Sequence, residues 1–320
     1  MKNNIKESII LITGGAGFVA SYIVEELLKY EPRKILIIDN LLRGNLSNLA
    51  KFQGLNLEFV EGDIRNKTLL ENLVKQTDYV FHLAALRINA CASNPQEAFE
   101  VMIEATFNLV ELCRKYQVKK IIYASSASVY GLADVFPTPE TAHPYDNQTF
   151  YGGAKLWGEQ LLRNYFFMYN LPYVALRYFN VYGIGMDTEG KYTEVMIKWL
   201  ACIKNETEPL IFGDGSATMD FVYVSDVAKA SVAALLTDVN NEVFNIGSQR
   251  ETSLKELLSY LLAINKSTLV PKFMPENSIN PVSRRLADIS KARQMLHFEP
   301  SISLEKGLEL LSEWYIANNQ

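Results

Sequence analysis

Apolar residues in the first half of the chain fall into short unbroken runs, beginning with Ser8-Ile9-Ile10-Leu11-Ile12 and Lys34-Ile35-Leu36-Ile37-Ile38. A strand with one face in water alternates apolar and polar positions, whereas continuous β-branched runs suit strands buried on both faces. Further strands are expected at Leu57 to Val60, Tyr79 to Leu83, Lys120 to Ala124 and Tyr173 to Arg177, with helical periodicity between most of them. That alternation predicts an α/β fold built on a doubly wound parallel sheet. After Tyr178 the rhythm gives way to Gly- and Pro-containing segments, a helix near Thr193 to Ile203 and a last helix from Leu304 to Tyr315. The expected division is a sheet domain over 1–178 and a smaller α/β lobe over 179–320. The apolar run Glu242 to Ile246 suits a return strand near 242–247, so the two parts are expected to interleave.

Composition narrows the partners. With 320 residues, 48% of them hydrophobic and 21% charged, the chain can bury one large core or two subdomains sharing a boundary. A net charge of -5 and a pI near 5.4 give no basic field for nucleic acid or anionic lipid, so neither nucleic acid nor membrane is an expected partner. Cys91, Cys113 and Cys202 have neither C-x-x-C nor metal-ligand spacing, which fits a reducing compartment and predicts no metal. Met1 to Glu7 is a polar lead without an apolar signal segment, and no run approaches the ~18 apolar residues of a membrane helix. Cytoplasmic residence is the resulting expectation.

Directly after the first strand comes Thr13-Gly14-Gly15-Ala16-Gly17-Phe18-Val19-Ala20, followed by an amphipathic helix through Tyr30. Glycines let the backbone turn sharply against a pyrophosphate, and the helix N-terminus supplies free N–H groups and a positive dipole end. Asp39 ends the second strand, where a carboxylate accepts hydrogen bonds from an adenosine ribose and repels a 2′-phosphate. The cofactor expected is therefore NAD rather than NADP. Asp63, after the third strand, reads equally as an adenine contact or as a solvated turn residue. In Phe81-His82-Leu83-Ala84-Ala85 the small residues let a flat cofactor approach the backbone, and His82 is expected to be packed rather than catalytic.

Tyr151 and Lys155 stand four residues apart in a helix expected to run to about Tyr169, which places phenol and ammonium on one face. A cation about 4.5 Å away at an effective dielectric of ~20 is worth roughly 3.7 kcal/mol. Less an opposing contribution from burial, that would bring a phenol titrating near ~10 towards neutrality, where it serves as a general base. Ser125, Ser126 and Ser128 follow the fifth strand at its carboxyl end, the edge where open α/β sheets gather ligands. Ser126 is placed to hydrogen-bond a substrate oxygen and steady a phenolate, while Ser125 and Ser128 also suit turn backbone.

These segments, together with Asp39-Asn40-Leu41, Leu176-Arg177-Tyr178-Phe179-Asn180 and Phe212-Gly213-Asp214-Gly215 leading into Asp220 to Asp226, resemble the extended short-chain dehydrogenase/reductase family over nearly the whole chain. Within it they are similar to the nucleotide-sugar epimerases and dehydratases related to UDP-glucose 4-epimerase. The resemblance implies a Rossmann domain that binds NAD and a lobe that binds a nucleotide sugar. It implies cofactor contacts from Gly14, Gly17, Phe18, Val19, Asp39, Asn40, Asp63, Ile64, Leu83, Ala84, Ala85, Ser125, Tyr151, Lys155 and Tyr178. Tyr151 would take the proton of a sugar hydroxyl while the carbon gives its hydride to NAD, assisted by Ser126 and Lys155. Tyr178 and Phe179 would lie near the nicotinamide and Asn180 at the sugar diphosphate.

Departures from the family pattern shape the expected chemistry. Ser126-Ala127-Ser128 stands where the 4,6-dehydratases carry Thr-Asp-Glu, and decarboxylating relatives keep a Glu at the position of Ser128. Epimerisation at C4 of a UDP-hexose or UDP-N-acetylhexosamine is therefore expected. The alternatives are C4 oxidation of a UDP- or GDP-sugar with release of the keto sugar, or a catalytically silent NAD-binding regulator. Met219 stands where relatives carry a phosphate-binding Arg, and Arg284 and Arg285 are the expected replacements, since a guanidinium fork suits phosphate oxygens. Met102 and Ala105 replace a common Asn and Gly near the cofactor, and the role of Arg87 stays open. The segments Glu97 to Tyr116 and Tyr151 to Tyr169 carry more apolar surface than one sheet face needs, and relatives pair them, so a homodimer is expected.

Overall fold

The structure is a computed structural model that describes residues 5–144, 146–188, 194–276 and 282–318. Up to Tyr178 the strands are β1 (Ile9–Thr13), β2 (Lys34–Asp39), β3 (Leu57–Glu61), β4 (Tyr79–His82), β5 (Lys120–Ser126) and β6 (Tyr173–Tyr178). Next come β7 (Asn180–Tyr182), β8 (Leu210–Phe212) and β9 (Thr218–Tyr223), and then β10 (Glu242–Ile246) returns to pair in parallel with β6. The resulting seven-stranded sheet has the order β10-β6-β5-β4-β1-β2-β3 and is parallel throughout. The expected strands are all present, with ends shifted by a residue or two. β11 (Glu251–Ser253) joins β9 and β7 in a second sheet, and β12 (Lys272–Met274) pairs with β8.

The unbroken apolar runs have a direct cause. Ile10, Ile12, Ile35 and Ile37 face one core, packed by α1 (Phe18–Leu28), whereas Leu11, Leu36 and Ile38 face the other. On that second face lie α2 (Lys67–Val74), the short α3 (Ile88–Ser93) and α4 (Pro95–Ala98), and α5 (Ala105–Lys115) with α6 (Phe150–Tyr169). Sequence periodicity predicts one helix over Glu97 to Tyr116. Instead a π-helical segment, Phe99–Glu104, separates α4 from α5. Within it Met102 turns its sulfur inward to accept the Leu86 N–H at 3.3 Å.

α7 (Val195–Lys204), α8 (Val224–Leu236), α9 (Leu254–Ile264), α10 (Ser290–Leu296) and α11 (Leu304–Asn318) complete the fold. The helix expected from Thr193 corresponds to α7, and Thr193 itself lies outside the described residues. α8 joins α1 on the first sheet face, while α7, α9 and α11 gather around β7 and β9 in a third apolar cluster. Chain order reverses at β1, whose neighbours β2 and β4 come from opposite directions. In open α/β sheets this switch point opens a crevice at the carboxyl ends of the strands. Among the described residues, no helix is long and apolar enough to cross a membrane, and no group of His, Cys, Asp and Glu could hold a metal ion.

Candidate active site

The crevice is a cavity of about 900 Å³, large for a small-molecule site, that runs from the β1–α1 turn past β4 and β5 to α6. Gly14 takes a φ of +69°, and a Cβ there would fall 2.8 Å from the Ala84 nitrogen, so the turn lies directly against the chain leaving β4. Gly17 caps α1 without a side chain, leaving the first-turn amides beside Phe18 and Val19 on the cavity wall. Asp39 is 8% exposed, and its carboxylate accepts the Ala16 N–H at 3.1 Å and the Leu41 N–H at 2.9 Å. A carboxylate offers about four acceptor positions, so ribose hydroxyls can still bind. Asn40, Ile64, Leu83, Ala84 and Ala85 continue the same wall. These residues fit a dinucleotide.

Asp63 also lines the cavity, but its carboxylate pairs with Arg65 at 2.8 Å and accepts from the Asn40 amide at 3.0 Å. The Arg65 hydrogen bond, foremost, holds its pKa down at about 2. His82 is buried between Thr13 Oγ1 at 2.7 Å and Thr106 Oγ1 at 3.0 Å. Burial first, then the charge of Lys155, push its pKa down to about 3, so it is a neutral link that orients Thr13. Thr13 Oγ1 in turn accepts the Ala84 N–H at 3.2 Å.

At the other end of the cavity, α6 begins at its Thr149 cap and carries Tyr151 and Lys155 onto the wall. The phenol shares a hydrogen bond with Ser126, whose Oγ also accepts the Ser128 N–H at 3.1 Å. Ser126 itself acts from behind the wall that Ser125 and Ser128 line. Lys155 does not direct its charge to the phenol oxygen. Its Nζ donates to the Ala124 carbonyl at 2.6 Å and lies 5.8 Å from the Tyr151 ring centroid, over the ring face. The expected fall of the Tyr151 pKa towards neutrality is therefore reversed. Burial raises it, against the Ser126 hydrogen bond and the charges of Arg285 and Arg43. Burial also lowers Lys155 to about 8.

Several expected positions need correction or refinement. Arg284 does not reach the cavity: it is half-exposed, bonds Glu251 at 2.6 and 2.9 Å and lies 4.3 Å from the Phe136 ring centroid. Alternating side-chain direction sends its neighbour inward instead. Arg285 is 7% exposed, lines the cavity and donates to the Ala127 carbonyl at 2.5 Å. Phe179 packs against Tyr130 behind the wall, whereas Tyr178 lines it with its hydroxyl 2.8 Å from Ser231. Asn180 lines the cavity and donates to the Asp220 carbonyl at 3.2 Å. Met219 packs into the third apolar cluster, off the cavity wall. Arg87 lies on the wall 3.7 Å from Glu194. Sequence reasoning passed over Arg43, on the wall 3.7 Å from Asp187; its signal was a cation four residues beyond Asp39 at the ligand edge of the sheet.

A glycine turn, a ribose-type carboxylate and a Tyr–Lys pair on one cavity, with a serine behind the tyrosine, define a dinucleotide-dependent enzyme of the Rossmann class. Comparison with known proteins makes this specific: residues 10–247 match the model of the NAD dependent epimerase/dehydratase family, and the chain belongs to that family. Its cofactor is NAD. The chain is 37% identical over 318 residues to a putative UDP-glucose 4-epimerase of Methanocaldococcus jannaschii, covering 98% of this chain and 100% of the relative. Its structure is similar to the UDP-glucose 4-epimerase of Thermotoga maritima solved with UDP-glucose, with a TM-score of 0.90, 35% identity and coverage of 98% and 100%. It is also similar to a UDP-N-acetylglucosamine 4-epimerase of Methanobrevibacter ruminantium in complex with UDP-N-acetylmuramic acid, with a TM-score of 0.91, 32% identity and coverage of 98% and 99%.

Proposed function

We propose that this protein is an NAD-dependent 4-epimerase of a nucleotide-linked sugar. The observation that carries the reading is one cavity with the glycine turn and Asp39 at one end and Tyr151 and Lys155 at the other, with Ser126 behind the wall against the Tyr151 phenol. Gly14, Gly17, Phe18, Val19 and Asp39, at one end of the cavity, would hold the adenosine and pyrophosphate, and Lys155 and Tyr178, at the other, would hold the nicotinamide half. Bound NAD supplies a hydride acceptor and, in its oxidised form, a positive charge that favours the Tyr151 phenolate. Tyr151 takes the proton from the sugar O4 as C4 loses its hydride, and Ser126 holds the O4 and phenol oxygens in line. The keto sugar then presents its other face, and Tyr151 returns the proton as the hydride comes back. No redox change remains.

Ala127 and Ser128 offer no carboxylate beside the Tyr, which supports proton and hydride exchange alone over elimination of water. The reading includes a homodimer through α5 and α6, supported by their exposed aromatic residues, and cytoplasmic residence, supported by three free cysteines. To test the function, the purified protein is denatured and released NAD identified, and the native protein is incubated with UDP- and GDP-sugars and followed by NMR. An equilibrium mixture of C4 epimers is the expected result. Stoichiometric keto sugar with NADH identifies a C4 dehydrogenase instead, and no change in any sugar overturns the enzymatic reading.

A further inference from the structure

The other arginines on the wall of this cavity have carboxylate partners, whereas the buried Arg285, like the buried Lys155, has no ion pair among the described residues. Arg43 stands by Asp187 and Arg87 by Glu194, and behind the wall Arg177 is locked to Glu159 at 2.7 Å. Arg285 is 7% exposed and has no carboxylate partner among the described residues. One guanidinium nitrogen donates to the Ala127 carbonyl, and the charge acts on Tyr151. A guanidinium has five N–H donors in a planar fork. A buried one without a counter-ion is costly unless a ligand supplies the charge.

The position of that fork is set by the backbone. The Arg285 N–H donates to the Thr218 carbonyl at 2.9 Å, and two residues on the Ala287 N–H donates to the buried Asp220 carboxylate at 3.0 Å. Ala127 directly follows Ser126, which bonds the Tyr151 phenol. Arg285 therefore sits at the reacting end of the cavity, within electrostatic reach of the Tyr151 phenol. A diphosphate, held away from the reacting carbon by the length of the sugar ring, is a poorer match for this place than a group borne on the ring itself.

We propose that Arg285 reads a carboxylate on the substrate's sugar ring, so that the preferred substrate is a nucleotide-linked hexuronate rather than a neutral hexose. This rests on the 4-epimerase reading of the same site. C4 and the C5 carboxylate are adjacent on such a ring, so one substituent faces Tyr151 and Ser126 while the other meets the fork, where two parallel N–H···O bonds fix the ring.

The test compares UDP-hexose, UDP-N-acetylhexosamine and UDP-hexuronate as substrates of the purified holoenzyme, and their affinities with that of UDP by calorimetry. The expected result is a kcat/KM for the hexuronate about 100-fold above that for the neutral sugars, with hexuronate binding tighter than UDP. Arg285→Gln should abolish that preference by lowering hexuronate turnover about 100-fold and hexose turnover only a few-fold. Arg285→Lys, which keeps the charge and loses the fork, should restore part of it. Wild-type preference for a neutral sugar overturns the proposal while leaving the epimerase reading intact. An equal loss of affinity for UDP and every UDP-sugar in Arg285→Gln places the guanidinium on the diphosphate and also overturns it. If no sugar is epimerised but the hexuronate still binds tighter than the hexose, the carboxylate contact stands and the epimerase reading falls.

Discussion

Tyr151 illustrates how burial and charge compete at a single residue. Coulomb's law alone, applied to a lysine four residues along a helix, lowers the phenol pKa, but the ammonium is engaged by the Ala124 carbonyl and lies over the ring face. Desolvation therefore wins and the pKa rises. The Ser126 hydrogen bond opposes it, so Ser126→Ala should lower kcat by about 10²-fold and Tyr151→Phe by about 10⁴-fold, with NAD retained in both. Loss of NAD from the purified Tyr151→Phe variant would show that the phenol holds the cofactor instead. His82 allows a sharper test by pH. Its pKa is about 3 in the folded protein and near ~6.5 unfolded, so between these values the unfolded chain binds the extra proton. The stabilising contribution is complete above ~6.5 and is lost as pH falls towards the folded value. Going from pH 6.5 to 5, urea unfolding of the native protein should lose about 2 kcal/mol more than that of His82→Gln. Parallel pH dependences would mean that the imidazole is not held neutral.

At the scale of elements, buried polar networks tie the catalytic helix to the sheet. Glu159 of α6 bonds Arg177 of β6 at 3.0 and 2.7 Å and accepts from Ser125 of β5. Arg177 continues through Tyr130 at 2.8 Å to Asn245 of β10 at 2.6 Å. Asp220, fully buried on β9, plays the same part for the loops around the cavity. Its carboxylate accepts Ser248 N–H at 2.6 Å, Ser248 Oγ–H at 2.7 Å, and the Gln249 and Ala287 N–H groups at 3.0 Å each. Asp220→Asn turns one acceptor into a donor among these donors, which should destabilise the fold by about 2–4 kcal/mol by chemical denaturation. An unchanged midpoint would show that the loop is held elsewhere. Much of this architecture was legible because runs buried on both faces and a glycine turn depend on local patterning; β1 to β6 and the return of β10 follow from it. What was not legible depends on contacts distant in sequence. The inward turn of Arg285 rather than Arg284 is decided by bridges to Thr218 and Asp220, and the engagement of Lys155 by a carbonyl 31 residues away. The π-helical segment Phe99–Glu104 lies in what periodicity reads as one helix, because an inserted residue shifts the apolar phase without removing it.

For the whole molecule, the homodimer proposed above places the face formed by α5 and α6 at the contact between copies. Phe107 is 42% exposed on α5, and Phe167, Met168 and Tyr169 are 67%, 65% and 47% exposed at the end of α6, with Phe99 47% exposed just before α5. Exposed apolar side chains on two adjoining helices suit an interaction surface, and in the homodimer proposed above a second copy of the chain covers them. A two-fold axis places each residue of the patch against its symmetry-related patch, so a single substitution is felt twice. Phe107→Asp or Phe167→Asp would then set two buried carboxylates into each interface, and both variants should run as monomers by light scattering where the native protein runs as a dimer. The same helix carries Tyr151 and Lys155 at its start and the exposed aromatics at its end, so removing the partner should also lower the thermal midpoint and, through α6, the turnover. A native protein of 36.2 kDa in solution would remove the dimer. Monomeric variants with full activity and an unchanged midpoint would instead confine the patch to assembly and leave the catalytic helix supported by the Glu159–Arg177 network alone.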